Sequence, residues 1–150
     1  MKKYTILAIE DNEPDYVLLS KALKLIADVS LDIIRAIDGQ EALDFLHKRD
    51  KFLSSPTPDL IILDLNLPKT SGYEVLKAIK KDDYLKVIPT IIYSTSDDPV
   101  DIWASYALYA NSYITKTFSV QELYKKISTL GEYWLKTSEI PDADSIEPLK

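Results

Sequence analysis

Pro58-Asp59-Leu60-Ile61-Ile62-Leu63-Asp64-Leu65-Asn66-Leu67-Pro68 is the stretch on which the fold turns. Residues 60–63 form an unbroken apolar run, too short for a helix and fenced by Pro58 and Pro68. The run reads as a strand buried on both faces. Such strands belong to parallel sheets covered by helices on each side. Asp64 closes the run, and in open α/β sheets the crevice outside the strands' carboxyl ends is where ligands bind. An Asp at this point equally suits a cap of the following turn. The chain on either side has to decide.

Outward from this strand the alternation repeats. Upstream, residues 4–9 are strand-like and end in Glu10-Asp11-Asn12. Pro14 then sits where a first helical turn tolerates it, with Asn12 or Glu13 near the cap. Val17, Leu18, Ala22, Leu25 and Ile26 recur at helical spacing. Residues 31–37 read as a second strand, Asp38-Gly39 as a turn, and Ala42, Leu43 and Leu46 as the stripe of a second helix. The polar loop over 48–58 is longer than most connections. Downstream, Lys69-Thr70-Ser71-Gly72 turns into a helix striped by Val75, Leu76 and Ile79. Residues 88–93 are a β-branched strand ending at Ser94-Thr95-Ser96, and Asp98-Pro99 opens a helix running to about Ala110. A short strand over 112–115 ends at Lys116, and Val120, Leu123, Ile127, Leu130 and Trp134 mark a fifth helix. A domain over 1–136 is therefore expected, followed at 137–150 by an acidic, disordered tail.

Five strand–helix units in strict alternation imply an α/β fold. Its five-stranded parallel sheet has right-handed crossovers and helices on both faces. At 150 residues the chain reads as one domain with a sizeable core. It holds no cysteine, which excludes disulfides and thiolate metal sites. The apolar run after Met1-Lys2-Lys3 stops at Glu10, too short for a signal peptide, and no segment approaches a membrane span. A cytoplasmic protein is expected, with no membrane partner. A net charge of −6 argues against nucleic acid as a direct partner.

The residues just past the strands are the informative set. The first strand ends in Glu10 and Asp11, the third in Asp64, the fourth in Ser94 and the fifth in Lys116. Three carboxylates converging on one crevice repel, and a hard divalent cation, Mg²⁺ or Mn²⁺, relieves them. One carboxylate is then free to attack phosphorus and form an aspartyl phosphate. Lys116 and the Ser94 hydroxyl supply charge and donors for the phosphoryl oxygens. His47 lies on the second helix, away from the crevice, and reads as a plain surface residue.

This pattern resembles the receiver domain of a two-component response regulator over about residues 3–136. Glu10 and Asp11 match the acidic pair, and Asp64 with Leu65-Asn66-Leu67-Pro68 and Gly72 matches the phospho-acceptor and its loop. Ser94 and Tyr113 match the switch pair, and Lys116 the family lysine. The resemblance implies a flavodoxin-like fold with strand order 2-1-3-4-5. It implies a metal site of Asp11, Asp64 and the Asn66 carbonyl, with Glu10 acting through a bound water. It also implies a histidine kinase as phosphoryl donor. Asn66 and Ser96 stand where the family tunes the lifetime of the phosphoryl group. Three positions depart from the pattern. Thr117 follows Lys116 where a cis proline is usual, Tyr109 stands where Gly is usual, and Thr95 where Ala is common. The loop over 48–58 and the Tyr113-Ile114-Thr115-Lys116-Thr117 ending are similar to stand-alone regulators associated with phytochrome-type histidine kinases.

No output domain fits after Trp134, so action through protein contacts is expected, as a switch or as a phosphorelay intermediate. An Asp-based phosphatase would need an acid where Asn66 stands, and Glu10-Asp11-Asn12-Glu13 would repel a flavin phosphate. A pseudo-receiver that only binds partners leaves the acid pair, Asp64 and Lys116 without a purpose. The fourth helix carries one charge in residues 100–110 and is apolar nearly all round. Ile102, Tyr106 and Tyr109 fit one side of it and Trp103 a neighbouring one. Trp103, Tyr106 and Tyr113 are therefore expected to form a self-association surface, unless Trp103 folds over the tail.

Overall fold

The computed structural model describes residues 1–142. Among them, five strands alternate with five α-helices: β1 (Lys2–Ile9), α1 (Glu13–Lys24), β2 (Val29–Ala36), α2 (Gly39–Leu46), β3 (Leu60–Leu63), α3 (Gly72–Lys81), β4 (Thr90–Ser94), α4 (Pro99–Ala107), β5 (Ser112–Thr115) and α5 (Val120–Glu132). The strands are all parallel, in the order β2-β1-β3-β4-β5. This is the flavodoxin-like arrangement.

Alternation along β1 and β3 divides the core in two. Leu7, Ile9, Ile61 and Leu63 point to the side covered by α2 and α3, where Phe45, Leu46, Val75, Leu76 and Ile79 meet them. Ile6, Ala8, Leu60 and Ile62 point to the other side, against Leu19 and Leu23 of α1 and Ile127 of α5. Burying each large aliphatic side chain stabilises the fold by about 1.5–3 kcal/mol. Each helix begins at a side-chain cap, with Asn12, Asp38, Ser71, Asp98 and Ser119 accepting a backbone N–H two or three residues on.

The register of the sheet positions the site. Ile9 pairs with Leu63, so Glu10 and Asp64 leave adjacent strands at the same level. The Asp64 amide still donates to the Ile9 carbonyl at 3.0 Å. Ser94 pairs with Thr115, and the Lys116 amide donates to the Ser94 carbonyl at 2.7 Å. Gly72 then closes α3 onto this edge. A Cβ there would stand 2.4 Å from the Asp64 carbonyl oxygen and 2.5 Å from the Leu65 Cα. Only a residue without a side chain lets the helix start so near the acid's own peptide.

Several local expectations change. The fourth strand begins at Thr90 rather than 88, because a 3₁₀ turn over Leu85–Val87 and then Pro89 precede it. The loop over 48–58 contains a 3₁₀ turn, Asp50–Phe52, whose Phe52 ring meets Phe45 edge-on at 5.5 Å. Trp134 lies beyond α5, in a π-helical turn over Tyr133–Thr137. The boundary expected at residue 136 falls inside that turn, and Ile140 packs against the α1–α5 side of the core. The part of the expected tail at 143–150 lies outside the described residues.

The fourth helix is also shorter than expected. It stops at Ala107, and Tyr109 takes a left-handed backbone with φ of 71°. An L residue in that region is disfavoured by roughly 1–2 kcal/mol. Of the side marked by Ile102, Tyr106 and Tyr109, both tyrosines are exposed. The buried position is Ser105, whose hydroxyl donates to the Asp101 carbonyl at 2.8 Å. A small residue with its polar group satisfied lets the helix lie close, and this turns Tyr106 and Tyr109 outward.

Candidate functional site

Lys116 is the centre of the crevice. Its ammonium donates to Glu10 Oε1 at 2.5 Å, to Asp15 Oδ2 at 2.9 Å and to Asp64 Oδ2 at 3.0 Å. It also lies 5.3 Å from the Tyr93 ring centroid. The other oxygen of Asp64 accepts from the Asn66 amide at 3.1 Å, so both oxygens of the acid are oriented. Glu10 accepts from the Asn12 amide through Oε2 at 3.2 Å. The peptide joining Lys116 to Thr117 is trans.

The electrostatics follow from crowding. Burial pushes Glu10 up to about 7, and the neighbouring Asp64 carboxylate adds to the rise while Lys116 opposes it. Burial disfavours the Lys116 ammonium, but Glu10, Asp15 and Asp64 outweigh it and hold the pKa above the usual lysine range. Carboxylate oxygens of Glu10, Asp11 and Asp64 lie within 4.8 Å of one another. Three hard oxygen donors at that spacing, two of them from buried residues, fit a divalent cation of the Mg²⁺ or Mn²⁺ kind.

Of the residues expected from the sequence, Glu10, Asp11, Asp64 and Lys116 come together in this way. Asn66 joins them through its amide. Ser94 is fully buried at the next strand end, and its hydroxyl accepts from the Ser96 amide at 3.2 Å. Tyr113 lies farther out and donates from its hydroxyl to the Ser96 carbonyl at 2.8 Å. Ser96 therefore bridges the two switch positions. Its own hydroxyl donates to Asp101 Oδ2 at 2.5 Å, and Tyr73 of α3 donates to the same carboxylate. Burial first and Asp101 second hold the Tyr73 pKa well above the tyrosine range. Trp103 and Tyr106 stand on the outer face of α4, outside the crevice. His47 also stays outside, with Nδ1 at 3.0 Å from the Leu43 carbonyl and Nε2 at 3.6 Å from Asp82.

Two residues at the site escaped the sequence reading. Asp15, on the first turn of α1, reaches Lys116 from the helix side. Arg35, at the end of β2, clamps the loop that carries the acid pair. Its Nε donates to the Glu10 carbonyl at 3.0 Å and one terminal nitrogen to the Asp11 carbonyl at 3.2 Å, while the other pairs with Glu13. The guanidinium also lies 4.9 Å from the Tyr16 ring. The available signals were an acid four residues after Asp11 in a first helical turn, and a cation at the last position but one of a strand.

Comparison with known proteins gives a consistent result. A family model described as "Response regulator receiver domain" matches residues 6–128. The response regulator Rcp1 of Synechocystis sp. is 39% identical over 138 residues, covering 92% of this chain and 93% of the relative. The crystal structure of the phosphorylated cyanobacterial phytochrome response regulator RcpA superposes with a TM-score of 0.90 at 39% identity, covering 93% of this chain and 99% of that one. The Mn²⁺-bound form of Rcp1 gives 0.84 at 40% identity, covering 92% and 99%.

Proposed function

Because the chain belongs to the response regulator receiver domain family, whose members bind a divalent metal and interact with histidine kinases, we propose that it accepts a phosphoryl group on Asp64. The observation that carries this is the Lys116 ammonium set between Glu10 and Asp64 at parallel strand ends. An Asp64 oxygen forms a bond to phosphorus. The bond from phosphorus to the donor nitrogen breaks, and its electron pair stays with the imidazole of the kinase phosphohistidine. Glu10, Asp11 and Asp64, with the Asn66 carbonyl, would hold the divalent cation, which offsets the charge gathering on the phosphoryl oxygens. Lys116 moves its ammonium from carboxylate to phosphoryl oxygen, and the Ser94 hydroxyl turns to donate to another.

Like receiver domains generally, the chain is read as a signalling protein rather than an enzyme, with slow self-dephosphorylation as the only turnover. The likeness to RcpA, a cyanobacterial phytochrome response regulator, supports a phytochrome-type kinase as the donor. The domain is assigned to 1–136, with output through protein contacts rather than nucleic acid or membrane. Among the described residues no helix is long and apolar enough to cross a membrane. The test is labelling by acetyl phosphate. The label should need Mg²⁺, vanish with EDTA, and be released by hydroxylamine as an acyl phosphate. A label that survives hydroxylamine would overturn the reading.

The output surface is assigned to α4 and β5, with self-association as its use. Trp103 is 73% exposed, and Tyr106 and Tyr109 are exposed as well. When Ser94 turns to the phosphoryl group it leaves the Ser96 amide, and Ser96 also holds the Tyr113 hydroxyl. Phosphorylation should therefore shift the monomer–dimer equilibrium through Tyr113. Sedimentation at micromolar concentration should show a dimer for the wild type that weakens at least tenfold in Trp103→Glu. A wild type that stays monomeric with and without acetyl phosphate removes this assignment.

A further inference from the structure

Lys116 has one carboxylate partner more than the transfer reaction uses. Glu10 and Asp64 belong to the acid trio that fits a cation, whereas Asp15 stands outside it. Asp15 comes from α1, where its amide donates to the Asn12 side chain at 2.9 Å, so the first turn of the helix fixes where the acid points. Its side chain is 35% exposed against 3% for Glu10 and 8% for Asp64. Asp15 is thus the partner on the solvent side of the ammonium, the side from which a donor enters.

We propose that Asp15 is a positioning residue that draws the Lys116 ammonium toward solvent until a phosphoryl group displaces it, and so limits the rate at which Asp64 is labelled. The inference rests on Asp64 as phospho-acceptor. Its physical content is competition. A phosphoryl donor arrives as an anion, and it meets an extra negative charge 2.9 Å from the ammonium it has to engage. Removing that charge while keeping the shape frees the ammonium and lowers the repulsion together. Because Asp15 is partly exposed, screening reduces the effect as salt rises.

The experiment is the initial rate of Asp64 labelling by acetyl phosphate at fixed Mg²⁺, for wild type, Asp15→Asn, Asp15→Ser and Asp15→Glu. Asp15→Asn and Asp15→Ser should be labelled about three- to tenfold faster than wild type at low salt, and Asp15→Glu at the wild-type rate. The difference should shrink toward onefold as ionic strength rises above about 0.5 M, where screening is within a few ångströms. A merely structural acid in a first helical turn predicts no acceleration, since its loss lowers Tm and leaves labelling unchanged or slower. Two folded variants labelled no faster than a wild type that does label on Asp64 overturn this proposal alone. A wild type with no label on Asp64 overturns the proposed function, and this inference with it.

Discussion

Asp64→Asn should take up no phosphoryl group from acetyl phosphate and Mg²⁺ under conditions in which the wild type takes up one. Four carboxylates share the crevice, and the geometry separates their roles. Glu10 lies deepest, 2% exposed, with one oxygen on Lys116, the other on the Asn12 amide and burial raising it to about 7. Asp15 is held on the solvent side of Lys116. Asp11 makes up the acid trio but contributes no side-chain contact to the ammonium among the described residues. Asp64, like Glu10, has one oxygen on the ammonium and the other on a backbone amide, but it is less deeply buried, 6% exposed, and stands at the end of the central strand, where incoming phosphorus would meet both an oriented nucleophile and a cation. Asparagine keeps the shape and removes the anionic oxygen, so the loss should be complete. Intact mass followed by peptide mapping reads it directly. Full labelling that reappears on Glu10 or Asp11 in the variant would move the acceptor.

The strand ends were legible because one rule governs all of them. Apolar runs bounded by turn residues mark buried parallel strands, and each run here stops at a polar residue. Which strand ends become neighbours was not legible from periodicity alone. It depends on register, such as Ile9 opposite Leu63, which the resemblance and then the sheet supplied. Asp15 and Arg35 were missed for a related reason. Asp15 meets its lysine across 101 residues, and Arg35 meets the acid loop across 24 and 25. Taken alone, an acid in a first helical turn reads as a favourable end charge. The fourth helix is a different case. The spacing left open which side of that helix meets the sheet, and closeness of approach decides it: a serine bonded to its own helix fits nearest the sheet, and Tyr106 stays exposed. Trp134 kept the apolar spacing of α5, while the backbone had already widened into a π turn. Tyr109, standing where the family usually has Gly, takes the left-handed backbone that a glycine would adopt readily, with φ of 71°.

Lys116→Met should cost about 3–5 kcal/mol of stability at pH 8 in EDTA, the usual result of leaving buried charge without its partner. Methionine keeps the length of the stem and removes the ammonium. The Lys116 side chain is only 7% exposed, so solvent does little to screen what is lost. The pH dependence fixes the cause. Glu10 already stands at about 7 in the folded chain, against an ordinary 4.5, and Lys116 is the group holding it down. A carboxyl raised on folding binds more protons in the native state, so stability falls as pH rises from about 4.5 through the folded value. Without the ammonium the folded value climbs further, and the fall is steeper and continues to higher pH. The deficit of the variant should therefore be largest at pH 8 and shrink by pH 5, where a proton on Glu10 stands in for the missing charge. Mg²⁺ should likewise raise the urea midpoint of Lys116→Met more than that of the wild type, since the acid trio then lacks any other cation. Urea unfolding at pH 5 and pH 8, each with EDTA and with Mg²⁺, contains all four comparisons. A variant as stable as the wild type at pH 8 in EDTA would mean that the three carboxylates do not depend on Lys116.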